Sequence, residues 1–119
     1  MNGLRPIGDL LASEAVLVGN EAALEQRAAG VDRLATMLRA VLAGRRRKYV
    51  MMNAPASRLA DLEALLPGLE SPSVIPLAHA GMIAIHAVVG ADDVWELLPR
   101  LKAAGASGIL VLPIEKLVV

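Results

Sequence analysis

Two histidines, His79 and His86, are the side chains of this sequence whose ordinary titration falls nearest neutrality, so they are the first candidates for proton transfer or metal ligation. They belong to different elements and the chain has no cysteine, which excludes disulfides and thiolate metal sites and makes a metal centre the weaker reading. A polar face of its strand is the plainer reading for His86, and no metal-binding or catalytic residue is assigned. The run Arg45-Arg46-Arg47-Lys48 has the charge to hold an anion. It lacks flanking aromatics and other basic patches, and reads instead as a solvated helix end that could touch a neighbouring domain. Asn53, just ahead of Ala54-Pro55, suits a turn hydrogen bond. Trp95 follows Val94 at a helical position and reads as packing or interface, not as a cofactor platform. No glycine-rich phosphate loop is present.

Composition narrows the partners. A chain of 119 residues has room for one domain and an appendage. Hydrophobic residues make up 55% and aromatics 2%, so the core must be aliphatic and base stacking is almost out of reach. Twelve basic and twelve acidic residues cancel, leaving no long-range field for a polyanion or an anionic membrane. Apolar runs stop well short of the ~20 residues a span requires. The opening Met1-Asn2-Gly3-Leu4-Arg5-Pro6 lacks the pattern of a secretion signal. The expectation is a cytoplasmic protein with neither nucleic-acid nor membrane partners.

The elements follow from period and punctuation. Residues 10–18, an apolar run between Asp9 and Gly19-Asn20, are expected as a strand. Leu34, Met37, Leu38, Val41 and Leu42 recur at helical spacing and predict a connecting helix over 31–46. Six short elements come next. A strand over Tyr49–Asn53 stops at Pro55, and a helix capped by Ser57 carries Leu59, Leu62, Leu65 and Leu66 to Pro67-Gly68. Strands are expected at Val74–Leu77 and Met82–Val89. Asp92 or Asp93 then caps a helix with Val94, Leu97, Leu98 and Leu101 on one stripe, bent at Pro99 and ended by Gly105. A last strand runs from Ser107 to Leu112. The order strand, helix, strand, strand, helix, strand predicts an α+β, ferredoxin-like βαββαβ sandwich over about 47–119, preceded by a strand and a connecting helix. Both helices then cover one sheet face. Strands that are apolar on both faces, such as Ile109-Leu110-Val111-Leu112, require the second face to be covered too, and self-association is the expectation.

Three blocks carry a resemblance. Lys48 to Pro55 (KYVMMNAP), Leu66 to Ser73 (LPGLESPS) and Leu101 to Lys116 (LKAAGASGILVLPIEK) resemble, in order and spacing, the C-terminal domain of long-form ATP phosphoribosyltransferases. Residues 1–45, with the Ser13-Glu14-Ala15 strand, resemble the end of the same enzymes' catalytic region, and 46–119 their regulatory domain. The resemblance implies an ACT-like fold, L-histidine as feedback inhibitor in the first step of histidine biosynthesis, Mg²⁺ for the intact enzyme, and assembly into dimers, trimers or hexamers alongside the catalytic domain. The family's pyrophosphate loop, an acidic–Gly–Ala–Thr–Asp–Thr type segment that opens a helix, has no counterpart in this chain. Catalysis by the chain alone is therefore not expected.

By the same resemblance the histidine pocket would use Asn53, Leu69, Ser73, Val88 and the backbone near Ala106, Ser107 and Gly108. A zwitterion needs oxygen acceptors for its ammonium and N–H donors for its carboxylate, and glycine lets backbone donors approach closely. The family often carries a carboxylate where this chain has Asn53, so the ammonium loses charge assistance and is expected to bind more weakly. The loop holding His79 departs from the family pattern, with Met82 in place of an aromatic, and no contact is carried onto it. The competing reading is an oligomerisation domain that no longer senses. Without the catalytic domain's sheet, residues 1–30 are expected to be unstructured or to pair between subunits.

Overall fold

The strand β1 (Arg47–Pro55) sets out the fold, because its side chains alternate between two environments. Val50, Met52 and Ala54 are fully buried, whereas Tyr49, Met51 and Asn53 are half-buried on the opposite face. The computed structural model describes residues 3–66 and 71–119. The chain divides into two units, Met1–Asp32 and Arg33–Val119.

In the second unit, β1 is joined by β2 (Ser73–Pro76), β3 (Met82–Gly90) and β4 (Ser107–Pro113). Their order is β2-β3-β1-β4, and every neighbouring pair is antiparallel. This is the expected ferredoxin-like arrangement, with β1 and β3 as central strands. The central positions explain why their inward residues, including Val50, Met52, Ile85 and Val89, are wholly buried. Short helices α3 (Leu59–Glu63) and α4 (Val94–Ala103) supply Leu62, Leu97 and Leu101 to the same core. Burying side chains of this size stabilises by about 1.5–3 kcal/mol each.

The chain that enters α4 and leaves it is shaped by local chemistry. Asp93 occupies the N-cap position, as expected, but its side chain makes no capping bond. The helix continues through Pro99, which lies on its exposed side, to Ala103. At its end Gly105 adopts φ +102°, with Gly105 N–H donating to Lys102 O and Ala106 N–H to Leu101 O. That pair of bonds is a Schellman cap, which needs a left-handed residue, and glycine takes that conformation without a steric penalty. Ser57 does not cap α3. It falls inside a 3₁₀ turn (Ala56–Arg58) that follows Pro55 directly.

The connecting helix, α2, spans Ala28–Arg45, somewhat earlier than the spacing predicted. Close to its end Gly44 is buried against the chain's last segment: a Cβ there would lie 2.8 Å from Ile114 O. Leu117 N–H donates to Ala40 O at 2.8 Å, so residues 114–117 are held along α2.

In the first unit, a helix α1 (Glu21–Gln26) begins at Asn20, whose Oδ1 accepts from Ala23 N–H. The strand expected over 10–18 is not formed. A strand exists by pairing, and among the described residues this apolar run makes no ladder with β1 to β4, all of which lie beyond Arg46.

Candidate functional site

The sheet face turned away from α3 and α4 carries the polar groups. By register, three rows cross it: Ile75, Ala84, Asn53 and Ser107; then Ser73, His86, Met51 and Leu110; then Val88, Tyr49 and Leu112. His86 thus lies on the non-core face, as strand parity implied.

One corner of this face is built around an irregularity. Met51 pairs with Leu110 and Asn53 with Ser107, so Gly108 and Ile109 together oppose Met52. Gly108 adopts φ +56°, which makes this a bulge with a left-handed glycine at its first position. Ser107 Oγ–H donates to Asn53 O at 3.3 Å, and the site of a Cβ on Gly108 would be 3.7 Å from Asn53 Nδ2. Asn53, Ser107 and Gly108 are therefore brought together. Ala106 is adjacent in sequence but buried, and its N–H is already taken by Leu101.

A second feature lies toward the other end of the face. A half-open cleft of about 390 Å³ is lined by Tyr49, Ser71, Ser73, His86 and Val88, with Leu117, Val118 and Val119 as an apolar wall. Tyr49 Oη and His86 Nδ1 are 2.6 Å apart, and the two rings meet edge to face with centroids at 5.7 Å. Ser73 and Val88 share this cleft. Asn53 does not line it, standing four residues from Tyr49 along β1, roughly 13 Å. The expected site residues accordingly fall into two groups on one face. Leu69 lies outside the described residues. Tyr49 and the terminal Leu117–Val119 were not singled out in the sequence. Strand parity with Asn53 could have flagged Tyr49, but no local signal marks residues 114–119 as returning to the sheet.

The remaining candidates are elsewhere. His79 is exposed in the β2–β3 connection, its Nδ1 3.1 Å from Ala80 O. Arg46 and Arg47 border a separate groove beside Leu117 and Val119. Trp95 is 82% exposed and belongs to no core contact. Among the described residues, no three His, Asp or Glu side chains converge as metal ligands. No such group stands among the described residues for the Mg²⁺ implied for the intact enzyme. No helix among the described residues is long and apolar enough to cross a membrane.

A family model described as the C-terminal domain of HisG matches residues 44–116. The chain is 43% identical over 117 residues to an ATP phosphoribosyltransferase of Phocaeicola vulgatus, covering 98% of this chain and 41% of that protein. It is 42% identical over 118 residues to the enzyme of that name from Bacteroides fragilis, covering 99% and 42%. A relative of the same name from Halobacterium salinarum is 44% identical over 118 residues, covering 99% and 41%. The chain spans about two fifths of the length of the curated relatives it matches.

Proposed function

The chain belongs to the family of HisG C-terminal domains, and from that premise we propose that it is the regulatory and assembly module of an ATP phosphoribosyltransferase, binding L-histidine as a feedback inhibitor. The observation that carries the reading is the corner formed by Asn53, Ser107 and Gly108. Asn53 offers a carbonyl acceptor for an ammonium group, and the bulge interrupts the ladder beside it, where backbone donors can turn toward a carboxylate. Asn53 is neutral, so the ammonium is held without the gain of a charged acceptor.

Regulation requires that histidine bind one assembly state better than another. The open face supplies a surface for that assembly. Ile75, Leu110 and Leu112 stand on it at 47%, 51% and 43% exposure, which suits contact with a second copy or with the catalytic part of the same enzyme. Such an enzyme acts in the cytoplasm. Transfer of the phosphoribosyl group belongs to the rest of the enzyme in this reading.

Titration calorimetry of the chain with L-histidine tests the proposal, with Asn53→Ala alongside. Binding in the parent and a loss of roughly threefold or more in the variant, with unchanged mass, is expected. Absence of heat up to millimolar histidine from folded protein leaves the non-sensing oligomerisation domain as the answer.

A further inference from the structure

The cleft beside Tyr49 shares Ser73 and Val88 with the pocket the resemblance implies, and adds Tyr49 and His86, which that pocket does not include. We propose that the Tyr49–His86 pair is the polar recognition element of a ligand pocket, and that it reads a side chain carrying both a hydrogen-bond donor and an acceptor on a small ring, of which imidazole is the simplest.

The argument starts from proton counting. The tyrosine hydroxyl and the neutral imidazole hold two protons between them, and their 2.6 Å contact uses one. If Tyr49 O–H donates to Nδ1, the second proton is on His86 Nε2 and the tyrosine oxygen keeps an accepting lone pair. If Nδ1–H donates to Tyr49 Oη, the hydroxyl is the free donor and Nε2 accepts. Either arrangement presents one donor and one acceptor, and exchanging them requires only a change of tautomer. A pair of this kind matches an amphiprotic ring whichever way that ring faces. A ring without polar atoms leaves the pair's donor and acceptor unmatched, at a loss of affinity.

The surroundings have the character of a pocket. Its volume of about 390 Å³ lies within the roughly 300–1,000 Å³ common to small-molecule sites. Ser71 and Ser73 add hydroxyls, Val88 and the 117–119 wall add apolar contact, and no charged side chain lines it among the described residues. The wall is tethered to α2 by the Leu117–Ala40 bond. Taking L-histidine as the occupant rests on the function proposed above. Asn53 and His86 are on neighbouring strands two positions out of register, roughly 8 Å apart, so an amino acid anchored at Asn53 reaches the pair with its side chain.

The test follows the His86 ring by NMR in the full chain during titration with L-histidine and, separately, with imidazole; exposed His79 serves as internal reference. Tyr49→Phe is titrated in parallel, with its melting temperature measured. The expected result is a saturable shift of the His86 ring signals with His79 unmoved, and histidine binding weakened about three- to tenfold in the variant at unchanged melting temperature. Histidine binding that leaves His86 still and is indifferent to Tyr49→Phe overturns this inference while leaving the regulatory reading intact. Imidazole shifting His86 where L-histidine does not bind supports the pocket and removes histidine as its ligand. Failure of both probes at millimolar concentration removes both proposals.

Discussion

Arg58 shows how a single side chain can join parts of this fold that the sequence places far apart. Its Nε donates to Ala104 O, at the end of α4, over 2.9 Å, and its stem passes beside Gly105. The same guanidinium meets Asp61 at 3.0 Å, but both side chains are about half exposed, and such pairs contribute roughly 0–1 kcal/mol. The bond to a helix-terminal carbonyl should matter more, because it satisfies an acceptor the helix cannot. Arg58→Ala is expected to lower stability by about 1 kcal/mol, and Asp61→Ala by less than half of that, as read from denaturant midpoints. Equal losses would show that the ion pair, not the cap, is the effective contact. Asn53 teaches a related lesson. Its neighbours Ala54-Pro55 suggest a turn, yet the strand runs through Pro55, and the residue faces outward beside a bulge, bonded to Ser107, which lies 54 positions away in the chain.

At the scale of elements, period and punctuation were enough wherever an element is stabilised by its own sequence and one buried side. The leucines of α3, the Val94-Leu97-Leu101 stripe of α4 and the alternation of β3 all translate directly into the core. They fail where an element depends on pairing. Residues 10–18 have the composition of a strand but are paired with none, and Leu10, Leu11, Val16 and Leu17 are exposed. Backbone amides there should exchange with solvent nearly as fast as an unstructured chain, whereas β1 and β3 amides are protected by the global stability. Strong protection of 10–18 in a verified monomer would contradict that. Helix α1 was missed because six residues give too little period, although Asn20 three positions ahead of the Ala23 amide it caps is a readable signal.

For the molecule as a whole, the decisive property is a sheet with one face packed and one largely bare. The packed face has the aliphatic core; the bare one has Leu110, Leu112 and Ile75 beside Tyr49, His86 and Asn53. Exposed apolar residues at this density favour association. A charge on that surface should oppose it: Leu112→Glu is expected to reduce the solution mass by light scattering toward that of one chain without loss of secondary structure. An unchanged mass would place the contact on another surface, of which the exposed α2 residues Leu34, Met37 and Leu38 are the next candidate.

From sequence alone came the aliphatic core, the order of six elements and hence the sandwich, the face to which His86 belongs, and three motif blocks specific enough to suggest the family. These depend on local periodicity and on residue types, which are properties of a linear string. Tertiary structure alone decided that Asn53 meets the Gly108 bulge, that Tyr49 bonds His86, that the Ala106 amide is consumed by a helix cap, and that residues 117–119 wall a cleft. Each is a contact between segments brought together by strand register and crossover connections, and register emerges only when the whole sheet is assembled.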